Sequence, residues 1–530
     1  MFLAYLVVAG VLVITRFGEG RWFFLDEWAF LSNRSITDIG DLFRPHNEHL
    51  VAVPVVVYRV LFRLFGLESY IPYQIAIVAT HGIAVILLRL VMRRAGVGPW
   101  MASAVASTLV LFGPGAENIV WGFQIGFVGA FAFGLGQLLL SDHDATPMRR
   151  DALAVVCGVC AVLTVSSVGV AMVAVTGAAV LARRGWRAAC WQMGPPLALF
   201  GLWWVTARPS NVGLGAFEAA ANETSPRSDR LLALEVADWN VRSVAHTFEA
   251  LGSHTIVAVL LGALLLGGTV AALRDQGLDG ARRTLAAPMA LALGALAFTT
   301  LTGLARWKLG PSAAEAERYT YVMVAFLLPQ LAVATAAVAR RWTPLGPIAI
   351  AGFVLVSAGN LSDFDDSQRF MAGIGEISRS QVATWAESPY ATVVPESLTP
   401  SPLFYPEMTI GWLVTRHQNG DLAGAEPVPE LAMALPLHLG IDQTEGAVDG
   451  DCEPLDSPVT FPLDLGEAFE IRSRQGVAVS MRAGVGDAVT GVPQSIWTGL
   501  GDRFEATIPH LVVEVAPGLT KTDAVAICRS

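Results

Sequence analysis

Long apolar runs fill much of the chain, and short polar stretches rich in arginine divide them. A helix crossing a bilayer needs about 20 apolar residues. Windows of that kind lie near 1–17, 71–92, 98–114, 119–140, 152–182, 187–207, 254–273, 285–305, 319–339 and 344–361. The run between Arg150 and Arg183 is too long for one ordinary span and "TVSSVGV" (164–170) interrupts it, so two shorter helices meeting at Ser166, Ser167 and Gly169 are expected there. Residues 49–66 are apolar too, but Arg59 and Arg63 lie one turn apart, which suits a helix lying in the interface with its arginines among the headgroups.

Arginine decides the threading, because cytoplasmic loops collect Lys and Arg. The clusters are Arg93/Arg94, Arg149/Arg150, Arg183/Arg184/Arg187, Arg274/Arg282/Arg283 and Arg340/Arg341. With 49–66 lying flat, about eleven spans put all five inside, with the amino terminus cytoplasmic and the carboxyl-terminal region outside. The first segment lacks a basic leading region and "TRFGEG" is a poor cleavage site, so it reads as a span rather than a signal peptide.

The pattern changes toward the end. Residues 363–394 read as a polar helical linker, and beyond Pro395 short alternating runs such as "FEIRSRQGVAVSMRAG" and "RFEATIPHLVVEVAPG" suit the strands of a small sandwich. The expected fold is therefore an all-α polytopic membrane protein of the plasma (inner) membrane. Its membrane domain covers 1–362, and an extracytoplasmic β-sandwich covers 395–530.

Composition agrees with that division: the chain is 53% hydrophobic and 15% charged. Its net charge of -10 is uneven, since residues 363–530 hold 24 Asp and Glu against 9 Lys and Arg. Cys157, Cys160 and Cys190 sit in apolar surroundings and read as packing residues. Cys452 and Cys528 are the two cysteines of the terminal domain, and a disulfide between them requires an oxidising compartment. Zinc-type spacings, a P-loop, a dinucleotide fingerprint and internal repeats are all missing, so nothing in the sequence indicates ATP as a driving force or nucleic acid as a partner.

The same threading gathers unusual polar residues on the outer side. The first outer loop carries "FFLDEWAFLSN" with Asp26 and Glu27, then "LFRPHNEHLV" with His46, Glu48 and His49. The second holds "PGAENIVWGFQIGF", with Glu117, Asn118, Trp121 and Gln124, whose aromatic and amide groups suit a sugar ring. A long third loop is expected over 208–253 with Trp239 and His246, and the fourth carries Arg306, Lys308, Arg318 and Tyr319. Cations on the outer side run against the positive-inside bias, and a phosphate at the outer leaflet is their simplest partner. A partly desolvated carboxylate beside them suits deprotonation of a hydroxyl. Each has a plainer reading: Asp26 as a helix cap, Glu48 at the positive end of a helix dipole, Trp121 as an interfacial anchor and the fourth-loop cations as headgroup anchors.

An acid directly after the first span, an amphipathic helix closing the first outer loop, a broken helix pair and a soluble terminal domain together resemble the GT-C superfamily of membrane glycosyltransferases. That superfamily includes the protein O-mannosyltransferases, the aminoarabinose transferases and the envelope arabinofuranosyltransferases. The resemblance covers about 1–362 and is one of layout. It implies an inverting transferase that uses a polyprenyl-phosphate-linked sugar and an envelope glycan, lipid or protein acceptor. It carries the catalytic base onto Asp26, with Glu27 as rival because "DEW" departs from the paired-Asp form. Some members bind a divalent metal, for which "HNEH" offers ligands without a decisive signature. By the same analogy the terminal sandwich binds carbohydrate or caps the outer site.

Three alternatives remain open from sequence: a lipid or polysaccharide transporter or flippase, an O-antigen-ligase-like transferase, and a non-catalytic envelope scaffold. Transporters place charges at the bilayer midplane and carry inverted repeats. Here the windows are nearly free of acids and the polar residues cluster at one face.

Overall fold

The computed structural model describes residues 1–144, 148–207, 231–402, 404–422, 434–473, 477–486, 489, 493–498, 501–517 and 525–529. The chain is mostly helical, with a β region near the carboxyl terminus. Among the described residues seven helical segments are long and apolar enough to cross a membrane, including Ile71–Arg94, Ser166–Arg184, Thr255–Thr284 and Glu317–Arg341. The other four helices on which a count of eleven depends fall short in length or apolarity: Phe2–Thr15, Pro99–Val110, Met148–Thr164 and Trp186–Ala207. Glu317–Arg341 is the most deeply enclosed of the seven, while Thr255–Thr284 keeps most of its apolar surface outward.

Within the long run after Arg150 the break falls at Val165, whose φ of -155° and ψ of 122° separate Met148–Thr164 from Ser166–Arg184. Gly169 allows the two helices to close on each other, because a Cβ there would collide with the backbone of Ala161 and Val162. Part of the expected third loop is instead a helix, Leu232–Gly252, with Trp239 buried against Gly303 of the neighbouring helix. Its amphipathic stripe of Val236, Trp239, Ser243 and Thr247 explains why a mixed sequence folds this way. Residues 208–230 of that expected loop lie outside the described residues.

All five arginine clusters collect at one end of the bundle. Arg94 and Arg150 both donate to the Leu139 carbonyl, Arg183 pairs with Asp142 and Asp144 and donates to the Arg283 carbonyl, and Arg340 and Arg341 pair with Asp275. The helix Ile71–Arg94 has 24 residues, a rise of about 36 Å, and so separates that end from the one carrying Tyr70 and the first loop.

The expected interfacial helix is Ala52–Phe65, ended by Gly66 at φ 61°. Its 14 residues are about one turn and a half short of a span. Arg59 does not reach outward as expected: its guanidinium caps the Leu31 carbonyl, while Arg63 is exposed. A carbonyl left free at the end of the short Glu27–Leu31 helix is a better partner for Arg59 than water.

The last apolar segment continues through Leu345–Gly359 into the helix Leu361–Ala386, which corresponds to the expected linker. Ser378 on that helix donates to the Phe23 carbonyl at 2.8 Å, and Trp385 packs edge-on against Tyr405, tying the helical bundle to the carboxyl-terminal region. The β region forms a five-stranded sheet in the order β1-β7-β4-β9-β2 and a four-stranded sheet in the order β3-β8-β5-β6. Here β1 is Ile441–Glu445, β2 Asp451–Pro454, β3 Val459–Leu463, β4 Ala468–Arg472, β5 Val477–Val485, β6 Gln494–Thr498, β7 Gly501–Ala506, β8 Leu511–Pro517 and β9 Ala526–Arg529. Alternation decides the faces: Val477, Val479, Met481 and Ala483 of β5 are buried, and Phe461 of β3 meets Phe469 of β4 at 5.2 Å across the two sheets.

Cys452 and Cys528 face each other in the antiparallel β2–β9 pair and form a disulfide closing a separation of 76 residues. In the chain-entropy model a loop of that size is worth roughly 4–5 kcal/mol. Replacing Cys452 with Ser is expected to lower the thermal midpoint of the terminal domain by a corresponding amount, read by proteolysis within 441–529 while the helical body stays intact. An unchanged midpoint under both oxidising and reducing conditions would contradict it.

Candidate active site

The segment "LFRPHNEHLV" folds as a tight hairpin. His46 and His49 exchange both backbone hydrogen bonds at 3.0 Å, and Asn47 takes the left-handed φ of 51° that such a two-residue turn demands. Leu50 N–H donates to Ser166 Oγ at 3.3 Å, which fastens the hairpin to the start of the broken helix. From the other side Arg34, buried within the first loop, donates to the carbonyls of Arg44 and Pro45 and to Glu407 Oε1 at 2.9 Å. Arg44 reaches the other oxygen of Glu407 at 2.8 Å. Thus Glu407, contributed from a distant part of the chain at φ 63°, holds two arginines of the first loop.

These contacts aim the hairpin into a cavity of about 2380 Å³ between the end of the helical bundle and the β region. Asp26 opens into it beside His46, with Nε2 and Oδ1 3.1 Å apart. A carboxylate only accepts, so His46 is the donor. Its ring is fixed between Phe30 and Phe123 at centroid distances of 5.2 and 5.6 Å. Burial alone would raise the Asp26 pKa, but the His46 hydrogen bond and the charges of His46, Arg318 and Arg306 outweigh it and hold the carboxyl below its usual value.

Two ion pairs cross the cavity wall. Arg306 binds Glu48, both side chains being mostly buried, and Arg318 lies 3.6 Å from Glu117. Gln124 donates to Glu117 at 2.6 Å, so the amide holds the carboxylate in place. Burial raises the Glu117 pKa despite the opposing charge of Arg318. His49, 3.6 Å from Glu48, is driven down to about 4 by burial and is a neutral imidazole at physiological pH. Trp121 lies on the wall stacked on Phe24 at 4.8 Å, and Tyr319 fills the space between Trp239 and Phe298 with Arg318 over its ring.

Three residues expected from sequence to bind or act on the substrate, Asn118, Lys308 and Glu27, do not line the cavity. Asn118 faces the core with both amide atoms unpartnered among the described residues, because the five-residue helix Ala116–Val120 turns it away from Glu117. Lys308 sits half-buried in the turn after Arg306. Glu27 points opposite to Asp26, fully buried, with Oε1 accepting from Tyr58 at 2.5 Å and Tyr70 at 2.8 Å and Oε2 accepting from the Phe24 N–H. Tyr70 also accepts the Gly122 N–H, so one buried carboxyl joins the first and second site loops. A Cβ at Gly122 would fall 2.6 Å from Tyr58 Oη, leaving room for no other residue.

Burial lifts the Glu27 pKa to about 7 in spite of its hydrogen bonds from the two tyrosines. A carboxyl raised from its unfolded value makes its contribution to stability fully available below pH 4.5, and loses it as pH rises toward 7. The shift corresponds to about 3 kcal/mol. Glu27→Gln is therefore expected to flatten the loss of thermal stability between pH 4.5 and 7. A variant retaining the parental slope would assign that slope elsewhere.

Arg34, Tyr58, Tyr70 and Glu407 are not singled out by the sequence, and Ser166 is marked there only as the meeting point of two helices. Arg34 is one of several arginines in the first loop and nothing local sets it apart, and Glu407 becomes visible only through a partner 373 positions away. For a divalent metal the fit is poor: His46 is engaged by Asp26 and Glu48 by Arg306. Among the described residues no three His, Cys, Asp or Glu side chains form a metal-holding group. Compared with family models, curated proteins and solved structures, the chain matches none of them.

Proposed function

We propose that the chain is an inverting membrane glycosyltransferase, moving a sugar from a polyprenyl-phosphate donor to an envelope acceptor at the outer face of the plasma membrane. One observation carries this reading: Asp26, the Glu48–Arg306 pair and the Glu117–Arg318 pair meet in one cavity, at the end of the bundle away from the arginine clusters. In this reading the arginine end is cytoplasmic, about eleven helical passes thread the bundle, and the two terminal sheets form an extracytoplasmic sandwich.

Asp26, kept ionised and oriented by His46, takes the proton of the acceptor hydroxyl. The freed oxygen attacks the anomeric carbon opposite the phosphate, the bond from that carbon to the phosphate oxygen breaks, and the configuration inverts. Arg306 and Arg318 neutralise the departing lipid phosphate. Lys308 has no part in this scheme, and Glu27 holds the two loops. Phe200, Trp204 and Leu301 extend the wall toward the outside of the bundle, where Trp204 and Leu301 remain exposed and supply an apolar approach for the polyprenyl chain.

The test is an assay of purified protein against radiolabelled polyprenyl-phosphate sugars and envelope acceptors, with and without EDTA. Sugar transfer from one donor is expected in both conditions. Failure of every donor to label any acceptor, with folded protein, would overturn the reading.

A further inference from the structure

The opposite end of the bundle holds a second cavity, of about 740 Å³, that the transferase reading leaves unused. Five arginines and three aspartates line it. Arg184 is saturated by both oxygens of Asp151 at 2.8 Å, and Arg183 is shared between Asp142 and Asp144. Arg282 lies 3.9 Å from the exposed Asp279. Arg187 lies over the Trp186 ring, and neither it nor Arg283 has a carboxylate within 4 Å among the described residues, although the Arg283 charge is felt by Asp144 and both arginines open onto the same cavity.

Two further features narrow the occupant. Gln192, fully buried on the cavity wall, spends its amide N–H on Asp151 and leaves Oε1 without a donor. Trp191 also lines the cavity and is 56% exposed, close to the exposed Trp186. Aromatic rings are enriched at headgroup level, which suits a cavity opening beside lipid phosphates.

We propose that this cavity binds the headgroup of an anionic glycerophospholipid of the surrounding leaflet. Arg187 and Arg283 take its phosphate, and Gln192 Oε1 accepts a headgroup hydroxyl. Basic recesses between helix ends are suited to such headgroups, and a bound lipid would bridge the start of Trp186–Ala207 to the end of Thr255–Thr284. The inference stands whether or not the outer cavity performs glycosyl transfer.

The experiment uses full-length protein in detergent, titrated with phosphatidylglycerol, with phosphatidylcholine of the same chain length, or with inorganic phosphate. Native mass spectrometry reads occupancy and thermal unfolding reads stabilisation. Phosphatidylglycerol is expected to bind and raise the unfolding midpoint, with phosphatidylcholine and inorganic phosphate ineffective. Arg187→Gln with Arg283→Gln should weaken phosphatidylglycerol about tenfold or more, whereas Arg274→Gln, at the same end but outside the cavity, should not. Equal binding of phosphatidylcholine, or an equal effect of inorganic phosphate, overturns the lipid assignment. So does equal weakening by Arg274→Gln. Should the double variant fold poorly, the comparison of the two lipids on the unaltered protein still decides.

Discussion

Asp26→Asn is expected to reduce sugar transfer by roughly 10²–10⁴-fold, the range for loss of a general base, while expression and thermal midpoint stay near those of the parent. Asn keeps the size of the side chain and an acceptor oxygen for His46, so only the capacity to take a proton is removed. His46→Gln separates chemistry from folding further. Because the His46 hydrogen bond and charge help hold the Asp26 pKa down, its loss should move the acidic limb of the kcat/KM profile to higher pH. An Asp26→Asn protein with ordinary turnover would require another base.

Arg306→Met is expected to produce the largest loss of stability at the end of the bundle that carries the first loop, about 3–5 kcal/mol, the usual result of stripping one partner from a buried ion pair. Glu48 is only 15% exposed in its side chain, and its Oε2 already lacks a partner among the described residues. Combining Arg306→Met with Glu48→Gln should recover much of the stability without recovering transfer. Thermal denaturation of the two single variants and the double variant gives the coupling directly. If the double variant is no more stable than Arg306→Met alone, the pair is not the determinant proposed.

The two adjacent acids show how far sequence reasoning carries. "DEW" announces a carboxylate after the first apolar segment, but a five-residue helix has too few positions for periodicity to reveal which acid faces outward. Packing settles it, since Tyr58 from the helix Ala52–Phe65 and Tyr70 from the cap of Ile71–Arg94 enclose Glu27, leaving Asp26 open to the cavity. Asn118 and Glu117 repeat the case on another short helix. The Arg34–Glu407 clamp has no local signal, because its partners lie far apart in the chain, and the stripe that contains Trp239 marks a buried helix face without revealing that Gly303 receives it.

Sequence alone determined the apolar helices long enough to cross a membrane, the arginine clusters that gather at one end, the interruption before Ser166 and the pairing of Cys452 with Cys528. Those properties follow from local apolarity, charge and spacing, which survive without knowledge of any neighbour. Tertiary structure decided which helices have the length to span, which carboxylates reach the cavity, and that the β region walls one side of it. Each of those depends on desolvation and ion pairing between segments hundreds of residues apart, energies that exist only once the chain has brought the groups together.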